Sequence, residues 1–366
     1  MKILYIVPDI TDSGGISRVV SLKTNYLVSQ LNYEVRILSV NDCFSKPFYD
    51  FDSAIKWYNF KNSKKGFLYL KRYISFIKET ITNEKPDIIV VCDAVLWLFI
   101  PWFIKTEIPV IFETHVSISL KKILNSGLHS IIRTEIVCFF KKITLKKFDR
   151  FIVLSESSKK EWNLVNSKVI PNPISFVSQN LAVLDNKKAI AICRHSYEKG
   201  VDRLLLIWKK VLKHHPDWVL EIYGQWDSDL HYQSMAESLD ISKNVNFIAP
   251  THAIWECYNH SSILLMTSRS EVFPMVLIEA MVCGLPCVAY NCPIGPTEII
   301  VNNQNGYLIE DGNQDLFVEK INQLIENKSL RLEIGKKANE SIKKYNIDKI
   351  MTKWNELFID ILSNKT

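Results

Sequence analysis

The chain has 366 residues, of which 47% are hydrophobic and 23% charged, with a formal net charge of +6 and no low-complexity tract. That length exceeds one ordinary core and fits two domains of a soluble globular protein. Eight cysteines lie scattered in apolar runs without paired C-x-x-C spacing, which argues against a disulfide frame or a zinc site and fits reduced thiols in a cytoplasmic protein. Charge is uneven: residues 1–175 hold 25 Lys and Arg against 16 Asp and Glu, whereas residues 176–366 hold 20 against 23.

In chain order, strands are expected at 2–7, 34–40, 87–92, 109–114 and 150–155, with helices over 16–31, 66–83 and 119–146. The apolar run 94–104 has eleven residues, too few to span a bilayer, which takes about twenty. A break with two prolines follows at 169–188, and alternation restarts with strands at 189–193, 219–224, 245–249, 262–267 and 286–290. The expected fold is α/β: two doubly wound Rossmann-like domains, residues 1–173 and 187–345, facing across a cleft. Residues 346–366 form an amphipathic C-terminal helix expected to cross the hinge.

Ligands of such sheets sit beyond the carboxyl ends of the strands, and unusual residues follow several of them. Gly14 and Gly15 open a helix whose first amides suit an anion, although paired glycines also serve plain turns. His115 follows the fourth strand, where it can meet a substrate hydroxyl or fill a structural role. Arg194 and Lys199 share one loop before Gly200, an arrangement suited to a diphosphate. Asp227 and Asp229 resemble a metal-binding pair but read better as the cap of a helix starting at 229. In "SEVFPMVLIEAMVCGLPCV" (270–288), Pro274 suits a helix start, Glu271 lies in the loop ahead of it, and Glu279 stands alone among apolar neighbours. A lone buried carboxylate needs partners; Arg194 or Lys199 would provide a salt bridge, and a bound polyol would provide hydroxyls.

The Gly-Gly loop, "PNP" at 171–173, Arg194 with Lys199-Gly200, and Glu271 followed by Glu279 and "AMVCGLPCVAY" resemble the retaining glycosyltransferases of family four, with the GT-B fold. The resemblance implies that Glu279 holds the ribose of a nucleotide-sugar and that Arg194 and Lys199 bind its diphosphate. It implies that Gly15, with Gly14 beside it, lets the N-terminal loop approach the β-phosphate. Glu271 and the backbone of Phe273, Pro274, Met275 and Val276 would meet the donor sugar, and His115 would sit beside the reacting centre. Neither metal nor cofactor is implied beyond the donor. Val272 replaces the glycine usual after the first glutamate, and Trp226 replaces a glycine usual after "YG". The segment "NCPIGPTEII" (291–300) resembles enzymes that build bacterial surface polysaccharides and glycolipids, often from UDP-linked sugars, with Thr297 and Glu298 close to the diphosphate.

The implied function is transfer of a hexose or N-acetylhexosamine, with retention, from a UDP-linked donor to a hydroxyl of a saccharide or lipid-linked acceptor. Basic, apolar segments at 64–78 and 119–147 point to the inner face of the cytoplasmic membrane as a peripheral partner. No nucleic-acid recognition motif accompanies the charge. A sugar-nucleotide epimerase of the same fold, and a peripheral membrane binding protein with a degenerate nucleotide site, are the alternative readings.

Overall fold

The computed structural model describes residues 1–40, 46–61, 66–93, 96–104, 106–117, 128–176, 178, 180–226 and 228–364, without the side chains of 128–135. Expectations that fall on Cys43, Lys64, Lys65, Lys121, Lys122 and Asp227, and on the start of the helix expected over 119–146, lie outside the described residues. The chain divides into two compact units: unit 1 is Met1–Pro173 with Ile347–Thr366, and unit 2 is Ile174–Asn346.

Unit 1 is built from β1 (Lys2–Ile6), α1 (Gly15–Ser29), β2 (Glu34–Ser39), β3 (Lys56–Asn59), α2 (Phe67–Glu84), β4 (Ile88–Cys92), α3 (Ile100–Phe103), β5 (Val110–Glu113), α4 (Leu128–Leu145), β6 (Arg150–Val153), α5 (Glu156–Trp162) and β7 (Ser167–Val169). Its seven strands pair in the order β3-β2-β1-β4-β5-β6-β7, parallel throughout. Strands β1 and β4 are continuous apolar runs because helices cover both faces of the sheet.

Unit 2 contains β8 (Lys188–Ile192), α6 (Val201–Leu212), β9 (Val219–Tyr223), α7 (His231–Ser238), β10 (Val245–Ile248), α8 (Ile254–Asn259), β11 (Ile263–Met266), α9 (Met275–Val282), β12 (Cys287–Asn291), α10 (Pro296–Ile299), β13 (Tyr307–Glu310), α11 (Gln314–Glu326) and α12 (Lys328–Ser341). Six parallel strands run in the order β10-β9-β8-β11-β12-β13. Its core includes Trp208, Trp218, Tyr258 and Phe317.

The last helix, α13 (Ile347–Ser363), belongs to unit 1. It buries Ile350, Met351, Trp354, Leu357, Phe358 and Ile361, the spacing of one helix face. Hydrogen bonds from Tyr26 Oη to Asp348 (2.9 Å) and from Tyr33 Oη to Asn355 (2.5 Å) fix it against α1 and the turn that follows. The seven described cysteines are all free thiols. No helix among the described residues is long and apolar enough to cross a membrane.

The edge of the first sheet is tied to α2 by Glu84. Its carboxylate accepts from Lys56 Nζ (2.6 Å), Tyr58 Oη and Arg36 Nε (2.7 Å), so one residue joins β2, β3 and the end of α2. The bonds from Lys56 and Tyr58, and then Arg36, hold its carboxyl down at about 2. A carboxyl depressed in the folded state stabilises it fully above the unfolded value of 4.5, and this contribution fades as pH falls through about 2. The Tm advantage of the natural protein over Glu84→Gln should therefore be constant near neutrality and shrink between 4.5 and about 2. A pH-independent difference in thermal scans contradicts this.

Candidate functional site

Strand order in unit 2 reverses between β8 and β11, so the loops leaving these two strands flank the point where a parallel sheet opens a crevice. The first loop carries Arg194 and Lys199, and the second carries Glu271. Three contacts join them. Lys199 Nζ donates to Glu271 Oε1 (2.8 Å), Thr267 Oγ1 to Gly200 O (2.8 Å), and Arg269 N to Glu198 O (2.7 Å). Arg269 adds a bidentate pair with Asp202 (2.8 and 2.5 Å) and lies 3.9 Å over the Tyr197 ring.

Burial pulls the Lys199 ammonium down, and Glu271 more than reverses this, so Lys199 stays above its ordinary value. Ser268 Oγ also donates to Glu271 Oε1 (2.7 Å). Arg194 is different: its side chain is 63% exposed and its guanidinium stands 3.4 Å from Glu198. The site thus holds one partly buried cation, tied to Glu271, and one exposed cation, paired with Glu198.

Pro274 caps α9, and Glu279 falls on its second turn, 2% exposed. The expected salt bridge to Arg194 or Lys199 is not what holds it. Ser175 Oγ donates to Glu279 Oε1 (2.8 Å) and Tyr258 Oη to Oε2 (3.0 Å), while Lys199 is taken by Glu271. Hydroxyl donors satisfy this carboxylate, which is the chemistry a polyol would offer. The amides of Met275 and Val276 lie in the first turn of α9, where helical N–H groups lack intrahelical partners. Phe273 is buried, its ring edge-on to Tyr345 at 5.3 Å.

Val272 keeps to negative φ, and the positive φ in this corner belongs to Gly295 (+92°). A Cβ there would sit 2.8 Å from Val272 O and 2.9 Å from Pro274 Cδ, so the "NCPIGP" loop packs directly on the glutamate loop. Thr297 and Glu298 lie in α10, just past it. Trp226, 37% exposed after β9, lies with its ring 5.6 Å from that of His195 and tilted 32° to it. Asp229 accepts from His231 N at 3.4 Å, and α7 begins at His231, two residues later than expected, because Leu230 takes the left-handed conformation (φ +50°) before it.

His115, Gly14 and Gly15 belong to unit 1. At the start of α1 the anion is the chain's own: Asp12 Oδ1 accepts from Gly14 N (3.1 Å) and Ser17 Oγ (2.5 Å). A Cβ on Gly15 would meet nothing within 4 Å, so the space over this residue is open. His115 Nε2 lies 3.3 Å from Glu113 Oε1. Cys92, Glu113 and His115 bring a thiol, a carboxylate and an imidazole within 4.8 Å of one another, the one such group among the described residues. Lys23 already neutralises Glu113, and burial, then Glu113, pushes the Cys92 thiol well up, away from the thiolate a metal requires. This cluster is an internal charge network, and its donors do not suit a cation.

Sequence reading missed Ser175, Tyr258, Ser268, Arg269 and Lys23. The serines and Tyr258 carry no local signal, and Lys23 reads as a surface residue of an ordinary helix.

Residues 175–341 match the family model described as glycosyl transferases group 1, and residues 13–176 match Glycosyltransferase Family 4. The chain is similar to an uncharacterized glycosyltransferase of Haemophilus influenzae, 31% identical over 365 residues covering 96% of this chain and 98% of that one. It is also similar to the amylovoran biosynthesis glycosyltransferase AmsD of Erwinia amylovora, 28% identical over 370 residues covering 97% and 99%. Among solved structures, a TarM mutant of S. aureus in complex with fondaparinux, alpha-GlcNAc-glycerol and UDP shares the fold, with a TM-score of 0.78, 18% identity and coverage of 98% and 99%.

The join between the two loops depends on Gly200, which sits at φ +68° with the position of a Cβ only 2.2 Å from Thr267 O. Gly200→Ala should cost at least about 2 kcal/mol in urea denaturation, combining left-handed strain with a backbone clash. A loss below about 0.5 kcal/mol, the level of an ordinary surface change, contradicts the packing described.

Proposed function

The chain belongs to glycosyltransferase family four, with the GT-B fold, and we propose that it moves a hexose or N-acetylhexosamine, with retention, from a UDP-linked donor to a saccharide or lipid-linked acceptor in surface polysaccharide synthesis. The observation that carries this reading is the switch point of unit 2. There Lys199 is locked to Glu271 at 2.8 Å, Arg194 is left exposed beside it, and hydroxyl groups satisfy the buried Glu279.

In the proposed reaction, charge develops on the departing diphosphate as the anomeric carbon becomes cationic. Lys199 is preorganised to stabilise that charge, and Arg194 swings onto it from solvent. Glu279 takes ribose hydroxyls. Ser175 Oγ, which donates to Glu279 Oε1, is a donor of the kind a ribose hydroxyl would replace. Glu271 and the first-turn amides of α9 face the sugar. Glu271 Oε1 accepts from Lys199 and Ser268; the assigned mechanism is attack from the front face, with the leaving phosphate taking the acceptor's proton. The likeness to AmsD, a glycosyltransferase of amylovoran biosynthesis, supports a biosynthetic transferase, and the UDP complex of TarM supports the nucleotide.

We further propose that unit 1 rests on anionic lipid. On α4, Ile136, Phe139 and Phe140 are exposed beside Lys142 and Lys146, and Trp102 of α3 joins them through its Nε1 bond to Thr144 (3.1 Å) with Lys147 Nζ 4.2 Å over its ring. Rings among lysines suit the interface of an anionic bilayer.

Incubation with UDP-, GDP- and ADP-sugars and a lipid-linked saccharide should give transfer from a UDP-sugar, with product NMR showing the donor's anomeric configuration. Conversion of the donor without any acceptor indicates an epimerase instead, and an inverted product removes the front-face mechanism. In sedimentation with vesicles containing phosphatidylglycerol, Phe139→Ser/Phe140→Ser should weaken binding more than about tenfold, since each buried ring is worth about 1.5–3 kcal/mol. Unchanged sedimentation contradicts the membrane assignment.

A further inference from the structure

Two hydroxyls of unequal access meet Glu279. Tyr258 lies on α8, fully buried, and α8 packs against α9, so its phenol is fixed relative to the helix that carries Glu279. Its ring also faces that of Phe176, 6.3 Å away and tilted 30° to it. Ser175 lies in the irregular segment between β7 and β8 and is half-buried. All four residues belong to unit 2. Solvent reaches the serine, and the tyrosine is closed to it.

The two hydroxyls also fall on different oxygens. Ser175 Oγ donates to Oε1 (2.8 Å) and Tyr258 Oη to Oε2 (3.0 Å). A carboxylate is planar, and the torsion that turns its plane is broad when nothing holds it. Helix α9 fixes the root of the side chain and leaves that torsion open. A donor held rigidly at Oε2 sets it, and the direction of Oε1 follows. Groups that hold a binding side chain in this way act through it rather than on the ligand.

We propose that Tyr258 is a positioning residue: it commits Oε2 and turns Oε1 toward a ribose hydroxyl of the donor nucleotide, which replaces the hydroxyl of Ser175. This rests on the reading of Glu279 as the ribose ligand and adds which oxygen receives the ribose, which donor leaves and which stays. Hydrogen bonds alone are exchanged: Oε1 loses the one from Ser175 and gains one from the ribose, while Oε2 keeps its own.

Titration calorimetry of the full chain with UDP and with dideoxy-UDP, which lacks both ribose hydroxyls, tests this, with circular dichroism to show each variant folded. The natural protein should bind UDP at least about tenfold more tightly than the dideoxy nucleotide, as expected for a hydrogen bond to a charged acceptor. Tyr258→Phe keeps the ring and removes the hydroxyl. It should bind UDP about tenfold more weakly, near the lower end of what loss of an orienting partner costs, and bind the dideoxy nucleotide as the natural protein does. Equal weakening toward both nucleotides marks general damage to the site and overturns the proposal. An undiminished preference for UDP also overturns it, while the ribose reading of Glu279 stands. Ser175→Ala removes the competing donor and should bind UDP about two- to tenfold more tightly, the net contribution of one hydrogen bond. Equal or weaker binding overturns the replacement of Ser175, and this arm holds even if Tyr258→Phe does not fold. If the natural protein binds the two nucleotides alike, or binds neither, the ribose reading fails and this inference falls with it.

Discussion

Parallel pairing is the constraint from which the rest of this molecule follows. Every strand in both sheets runs the same way as its neighbours. Parallel neighbours cannot be joined by hairpins, so the chain must cross over a face of the sheet between strands. Crossovers cover both faces, which makes central strands such as β1 and β4 mostly apolar and gathers the carboxyl ends of each sheet on one edge. The point where strand order reverses then leaves two loops facing each other. In unit 2 those are the loops of Lys199 and Glu271, and in unit 1 the neighbouring strand ends carry Asp93 and Glu113.

Each unit uses that edge to hold a charge pair, but in different ways. The Lys199–Glu271 pair is partly accessible, with side chains 22% and 11% exposed, and has the exposed Arg194, paired with Glu198, beside it. It can take part in chemistry with an anionic ligand. The Lys23–Glu113 pair is closed off by Trp354 and Tyr5. Trp354 comes from the final helix, so the last residues of the chain complete the setting of a cation near its start.

The sequence made the architecture legible because buried parallel strands are short apolar runs, and the break at 169–188 interrupts them. It also made the oddity of Glu279 legible, since one carboxylate among Met275, Val276, Leu277, Ile278, Ala280, Met281 and Val282 has no local explanation. Its partners were not legible. Ser175 lies 104 residues away and Tyr258 lies 21, and nothing in either neighbourhood marks a hydroxyl as aimed at a carboxylate. The same holds for Lys199 and Glu271, 72 residues apart, and most of all for Lys23 and Glu113, 90 apart. Lys23 has the look of a solvated helix residue until the sheet and α13 close around it. Gly295, at positive φ, packs on Val272 from the next loop, a tertiary contact that nothing local in the sequence marks.

The central claim is that Glu279 is a ribose ligand rather than a structural acid for Ser175 and Tyr258. Titration calorimetry with UDP on the natural protein and on Glu279→Gln, with circular dichroism to show both folded, tests it most directly. The account predicts measurable UDP binding to the natural protein and a loss of at least about tenfold in the variant, since a hydrogen bond to a charged acceptor is worth about 1.5–3 kcal/mol. Equal UDP affinity in the two folded proteins contradicts it.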